Sequence, residues 1–170
     1  MNRVLIPIIL IVGIIFMLML QCTVLDRWTP WGVRLELLPA LLLYAAFTVS
    51  LPSALLLGLL AGVMYDAFSA GRFGGSMFPY VMSIAIFCII RPIFFRNQFT
   101  TQFLSGIVFG FIALSLQFVL SGKFLVGWGH VFPKIVRLSL ITGVLSVIYF
   151  GIFDLMARMI GLDPGRLEDS

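Results

Sequence analysis

Asp66 is the residue of this 170-residue chain whose type and setting most invite chemistry. It ends an apolar run that begins at Leu51, and Ala54, Gly58, Gly62 and Asp66 stand four residues apart within it. On a helix that spacing makes one stripe: three small residues, then a carboxylate. A carboxylate at the end of an apolar helix is costly in lipid unless it faces protein, water or the interface. Three roles are open to it. It can close the helix end against the Gly-rich loop that follows or against an arginine, it can fix a partner contact or a hinge, or it can relay a proton. Arg72, in that loop, and Arg91 are the cations to test as its partner. A proton relay usually strings several intramembrane acids together, and this chain has few.

The other reactive side chains form no constellation. Asp154 and Arg158 stand at i and i+4, the spacing of an ion pair within one helix. His130 is the one histidine, and no Cys, Asp or second His sits at ligand spacing from it, so the pattern predicts no metal site. A serine hydrolase needs a Ser–His or Ser–Lys pair within reach, but His130 falls outside the predicted spans and no lysine falls inside one. A phosphate loop of the G-x-x-x-x-G-K-[ST] type is missing, and Gly71, Gly74 and Gly75 read as a turn. Cys22 and Cys88 lie in apolar stretches with neither metal-ligand spacing nor disulfide-scaffold density. These readings predict a protein that is not an enzyme and holds no cofactor.

Composition sets the class. The chain is 61% hydrophobic and 11% charged, with mean hydropathy +1.15. Soluble domains carry about 25% charged residues, so this chain lacks the polar groups to cover a water-facing globule. The expectation is an all-α integral membrane protein of about six transmembrane helices, since a span takes about 20 residues. The net charge of +4 comes from scattered Lys and Arg with no basic stripe, which gives nucleic-acid binding no support. Residues 1–160 read as a single membrane domain and 161–170 as a polar tail.

The elements expected to position Asp66 follow from apolar runs and their breaks. The first span covers Val4–Leu25. It follows Arg3 in the manner of a signal peptide, yet it is long enough to cross and lacks a small-x-small cleavage site, so it is expected to be retained. The segment after it, with Trp28 and Trp31 among charges, has the composition of an interface anchor. The second span is Leu37–Ser50, opened by Pro39, and the third is Ser53–Asp66. Both apolar cores are short, about 21 Å against a hydrocarbon core of about 30 Å. Either the pair forms a shallow hairpin or the helices extend beyond their apolar cores. Extension is favoured, with Arg34 and Glu36 snorkelling below the second span and the third running on to Ala70. The fourth span is Phe78–Phe95, with a kink or stop at Arg91-Pro92. The fifth is Phe103–Leu120 and carries the close-packing pair Gly106 and Gly110. A short interfacial helix is expected within Ser121–Lys134, followed by a sixth span, Ile135–Ile160, with Gly143 and Gly151. Arginines and lysines number five on the termini side and six on the other, so charge leaves orientation open.

Three segments together carry a resemblance. Leu38-Pro39-Ala-Leu-Leu-Leu-Tyr44, Gly58-Leu-Leu-Ala-Gly-Val-Met-Tyr-Asp66 and Gly71-Arg-Phe-Gly-Gly-Ser76 resemble the rod-shape-determining MreD family. In that family a proline opens the second helix, and a Gly-rich third helix ends in an aspartate before a small-residue loop. The resemblance covers Leu37–Tyr80, with Pro39, Gly58, Gly62 and Asp66 as the motif positions. Tyr65 and Arg72 depart from the usual pattern. The resemblance implies a multi-pass protein of the bacterial inner (cytoplasmic) membrane with cytoplasmic termini, acting in peptidoglycan synthesis and cell shape as part of the elongasome. It also implies an MreC-like single-span partner, indirect links to MreB-like filaments and wall-synthesis enzymes, and a fold similar to the substrate-binding subunits of vitamin uptake transporters.

The function expected on this basis is a non-enzymatic scaffold that docks a partner helix. Its docking seam would use Pro39, Ala54, Gly58, Gly62, Asp66, Arg72, Gly106 and Gly110. The alternative is a substrate-binding membrane subunit of a small-molecule uptake transporter. Such subunits usually carry a small-residue seam in the first helix, and Gly13 is the one small residue in Val4–Leu20.

Overall fold

An apolar chain with few breaks folds by closing helices on one another, and the computed structural model shows how. It describes residues 2–25, 36–68, 74–93, 99–120 and 128–159. Six α-helices run through them: α1 (Asn2–Leu20, continued by a π-helical turn Gln21–Leu25), α2 (Leu38–Thr48), α3 (Leu51–Phe68), α4 (Met77–Ile90, then a 3-10 turn Arg91–Ile93), α5 (Phe99–Leu120) and α6 (Trp128–Met159). Four of them, α1, α3, α5 and α6, are long and apolar enough to cross a membrane, whereas α2 and α4 are shorter. The chain is an all-helical membrane protein, as its composition predicts.

The centre of the fold is α2. All eleven of its residues are buried, and it touches each of the other five helices. Those five form a ring around it. Helix α1 packs on α3, α3 on α4, α4 on α5 and α5 on α6. The ring closes where the Tyr149 hydroxyl of α6 donates to Met17 Sδ of α1 at 3.1 Å. Aromatic rings bind the axle to its surround: Tyr44 meets Phe150 and Phe153 at 5.1 Å, and Phe47 meets Phe87 at 5.2 Å and Phe150 at 5.5 Å. Three of these four pairs, all but Tyr44–Phe153, are edge-to-face, and such pairs add about 0.5–1.5 kcal/mol each beyond area burial. On the outer side, Val12, Phe16, Leu56, Ile89 and Leu155 stay exposed, an apolar surface suited to lipid.

Three boundaries differ from expectation for physical reasons. The extension of short spans holds for α3, which runs two residues past Asp66, but not for α2, which begins only at Leu38. A helix of 11 residues is about 16 Å long, and it needs no greater length because it faces protein on every side. Of the interfacial helix expected within Ser121–Lys134, residues 121–127 lie outside the described residues, and the rest is no separate element. Residues from Trp128 onward are the first turns of α6, which continues through Pro133; a membrane helix tolerates proline where neighbours satisfy the freed backbone. The break at Arg91-Pro92 is where α4 ends. The segments 26–35, 69–73, 94–98, 121–127 and the 161–170 tail lie outside the described residues.

The small-residue stripes build this ring from within. A methyl group on Gly62 would meet the Met77 backbone, with its N at 2.9 Å. One on Gly58 would meet the tip of Ile84. A methyl on Gly106 would lie 2.8 Å from Gly143 Cα, and one on Gly110 would lie 2.9 Å from Thr142 Cβ. In both seams rising numbers on one helix meet falling numbers on the next, so α3 runs antiparallel to α4 and α5 to α6. Hydroxyls inside the α5–α6 seam are satisfied nearby: Thr142 donates to Leu138 O at 3.0 Å and Ser146 to Gln102 O at 2.9 Å across the seam. Gly151 is the contrast, since a methyl group there would meet nothing within 4 Å. Gly62→Ala is therefore expected to destabilise the purified protein by about 1–3 kcal/mol through overpacking against backbone. Gly151→Ala is expected to leave thermal stability unchanged or slightly raised. Equal melting temperatures for the two variants would contradict this packing.

Candidate functional site

Polar side chains collect at the two ends of the bundle. At the end where α1, α3 and α5 finish and α2, α4 and α6 begin, Asp66 is the organising group. It is 4% exposed. Its Oδ2 accepts the Gly74 N–H at 2.8 Å, and its Oδ1 accepts the Ser76 N–H at 3.0 Å. Ser76 is the N-cap of α4 but gives that helix no side-chain cap. Asp66 supplies the missing acceptor from the preceding helix and sits at the positive end of the α4 dipole. The turn requires Gly74, whose φ of +94° belongs to the left-handed region that favours glycine. Asp66 is thus a latch between α3 and α4, and Gly62, one turn earlier, lets the two backbones approach closely enough for it to reach.

Neither arginine is part of what the structure describes at this latch. Arg91 lies beyond the far end of α4 and donates from Nη1 to the Ala46 carbonyl of α2 at 3.2 Å. Arg72 lies outside the described residues. Of the other expected seam positions, Pro39 is buried in the first turn of α2, and Ala54, Gly58 and Gly62 are buried on α3. Gly106 and Gly110 are buried on α5 against α6. These positions serve packing inside this chain, so the α3 and α5 stripes are not free faces for a partner. Asp154 accepts the Tyr44 hydroxyl at 3.2 Å. The Arg158 and His130 side chains lie outside the described residues.

The residue that sequence reasoning misses is Glu36, which the sequence sends snorkelling towards headgroups. Instead its Oε2 is buried with no hydrogen-bond partner, and so is the Tyr80 hydroxyl. The carboxyl faces Tyr80 and Gln117, and the Gln117 amide also reaches Ser76 Oγ at 3.5 Å. The main chain beside it is held as well: the Leu37 N–H donates to Gln21 Oε1 at 3.3 Å. Burial pushes the Glu36 carboxyl up from 4.5 to about 7, and the facing Tyr80 and Gln117 offset only part of that effect. The sequence does hold a signal: Glu36 stands just ahead of a helix with no polar face to turn towards water.

At the other end of the bundle, Asp154 helps line a groove of about 410 Å³ between α5 and α6, together with Phe99, Gln102, Phe150 and Gly151. Among the described residues no three His, Cys, Asp or Glu side chains gather in a way that could hold a metal ion.

Two outcomes follow from the polar end. Asp66→Ala would leave two N–H groups at the head of α4 without their charged acceptor, so it is expected to lower stability by ~3 kcal/mol. A thermal or denaturant melt of purified protein checks this, and an unchanged melt would remove the latch. For Glu36 the sign runs with protons. Between pH 4.5 and about 7 the folded state keeps a proton that the unfolded chain has lost, so stability falls as pH rises through that window. The ionised form is disfavoured by ~3 kcal/mol, taking about 1.4 kcal/mol per pH unit. The melting temperature is expected to drop across this window, and Glu36→Gln is expected to flatten the profile and raise it on the alkaline side.

Comparison with protein-family models, curated proteins and solved structures finds no match for this chain.

Proposed function

We propose that the chain is a non-enzymatic scaffold of the bacterial cell-elongation machinery, of the MreD type. It would sit in the inner membrane and dock an MreC-like single-span protein, and through it MreB-like filaments and wall-synthesis enzymes. The motif positions that carry the resemblance support this reading because each has a defined part in the packing. Pro39 opens the central helix, Gly58 and Gly62 seat α4, and Asp66 latches it. Together they make a rigid platform.

The observation that carries the docking step is the groove beside Gly151. The glycines along α3 and α5, and Gly143 of α6, are filled by this chain's own neighbours. Gly151 is exposed and open. Gly129 is open too, but it lies in the first turn of α6 and not in the groove. A small residue on an outward face lets a partner backbone approach closely. Gln102 and Asp154 add polar atoms to an otherwise apolar groove, which marks one position along it and so gives an entering helix a register. On this reading the α5–α6 groove is favoured over the stripe that ends at Asp66 as the docking face.

Gly151→Leu, which fills the groove without touching the bundle interior, is expected to reduce co-purification of the MreC-like partner about tenfold, a loss of about 1.4 kcal/mol. It should do so at unchanged melting temperature. Undiminished recovery would remove the groove as the docking face. Depletion of the protein is expected to turn rod-shaped cells round, and cells that keep their shape would remove the elongation role. Thermal stabilisation by a small molecule, with no partner recovered, would favour the transporter-subunit alternative.

A further inference from the structure

One cluster at the latch end is left unexplained by packing or docking. Glu36 Oε2 and the Tyr80 hydroxyl are buried side-chain atoms that lack a hydrogen-bond partner. An orphaned acceptor in an apolar interior is costly, and more so when it is charged. Both orphans belong to one contiguous set. The Glu36 carboxyl faces Tyr80 of α4 and Gln117 of α5. The Gln117 Nε2 reaches Ser76 Oγ, and the Ser76 N–H is held by Asp66 of α3. A chain of polar contacts therefore runs from the head of α2 to the latch at the head of α4.

We propose that Glu36 is a proton-binding site, and that its proton decides which way the Gln117 amide is turned between Glu36 and Ser76, so that occupancy of Glu36 is coupled through Ser76 to the Asp66 latch. The two states follow from donor and acceptor counts. As a neutral acid, Glu36 donates its O–H to the Gln117 carbonyl oxygen. The Gln117 N–H₂ is then left to donate to Ser76 Oγ, and Tyr80 donates to the remaining carboxyl oxygen. As a carboxylate, Glu36 has no proton to give and accepts only. It draws the Gln117 N–H₂ to itself, which turns the amide carbonyl oxygen towards Ser76, so the Ser76 hydroxyl has to change from acceptor to donor to keep its tie to α5. The proton leaves to or arrives from solvent at this end of the bundle, and no other covalent bond changes. The Ser76 contact at 3.5 Å is long for a hydrogen bond.

The surroundings favour such a switch. From α3, Tyr65 and Asp66 face Tyr80, and Tyr80 itself is the α4 group that faces Glu36. From α5 the facing group is Gln117, an amide. From α1 it is Gln21, whose side chain accepts the neighbouring Leu37 N–H. At the start of α6, Lys134 and Arg137 are both exposed. Among the described residues no cation shares the enclosure with Glu36, and the described groups that face its carboxyl, Tyr80 and Gln117, are dipoles. That is the condition under which a buried carboxyl takes up a proton instead of remaining ionised, and it agrees with the upward displacement of this group.

The test uses the purified full chain in detergent. Infrared spectra are expected to show the carbonyl band of a neutral carboxylic acid at about pH 6 that is gone by about pH 8, and Glu36→Gln should abolish it. Hydrogen exchange at the Gly74 and Ser76 amides, corrected for its intrinsic pH dependence, is expected to be about tenfold faster at the higher pH. Gln117→Leu should keep the infrared band but lose that acceleration. No neutral-acid band at the lower pH, or a band that survives Glu36→Gln, overturns the proton site. A Glu36 band without any pH response at the two amides overturns the coupling. If Glu36→Gln fails to fold, Tyr80→Phe decides: losing the phenol donor should move the band's midpoint to higher pH, and an unmoved midpoint overturns the assignment. These readouts do not involve a partner, so they stand or fall separately from the docking function.

Discussion

The rest of the structure depends on one constraint: a helix buried on all sides must satisfy its own ends. Any α-helix leaves its first N–H and last C=O groups without intrahelical partners. At a surface, water takes them. Helix α2 has no surface, because every one of its residues is covered, so the groups that meet its ends come from the ring around it. At its start, Gln21 from the turn after α1 accepts the Leu37 N–H. At its finish, Arg91 donates to the Ala46 carbonyl, and the Thr48 hydroxyl folds back on Tyr44 O. A cation at a helix C-terminus also suits the dipole there. The sparse polar residues of this chain are thus placed where a closed apolar bundle cannot do without them.

The same constraint explains what can be read from the sequence. The long helices α1, α3, α5 and α6 announce themselves through apolar runs of sufficient length, and the end of α4 is marked by Arg91-Pro92. The role of α2 is not announced in the same way. A helix that is apolar all round is equally suited to lipid and to a protein interior, so hydropathy makes it a span. Its length is the discriminating sign, since about 10–14 apolar residues point to a core helix more than to a crossing. Pro133 misleads in the opposite direction: proline reads as a boundary, yet α6 passes through it because its neighbours carry the packing.

Asp66 shows why a site can be half legible. Its cost is visible from the stripe of small residues, and so is the need for a partner. The partner is legible in part: the Gly-rich loop is one of the two expected, and Asp66 does bind it, but the groups that bind are the backbone N–H of Gly74 and Ser76, and a backbone N–H has no sequence identity. The other expected partner is an arginine, and Arg91 is at the opposite end of the bundle. Glu36 is harder to read for a related reason. Beside Arg34 and downstream of Trp28 and Trp31 it looks like interface decoration, and the one local sign against that is the wholly apolar helix that follows. Its burial is a property of the ring, which is assembled from residues as far as 132 positions apart, as in the Tyr149–Met17 contact.

The glycines then divide by which side of that ring they face, and this bears on how a rigid bundle can still offer a binding surface. Gly62, Gly106, Gly110 and Gly143 lie against neighbours and set how closely the helices approach; each is a place where an added methyl strains the fold. Gly151 continues the α6 spacing of Gly143 but faces outward into the groove, where it strains nothing. A glycine in a helix interior costs about 1 kcal/mol relative to alanine. Where packing demands the glycine, that cost is offset by the contact it permits. At Gly151 no described neighbour lies within 4 Å of an added methyl, so among the described residues nothing in the closed ring requires this glycine.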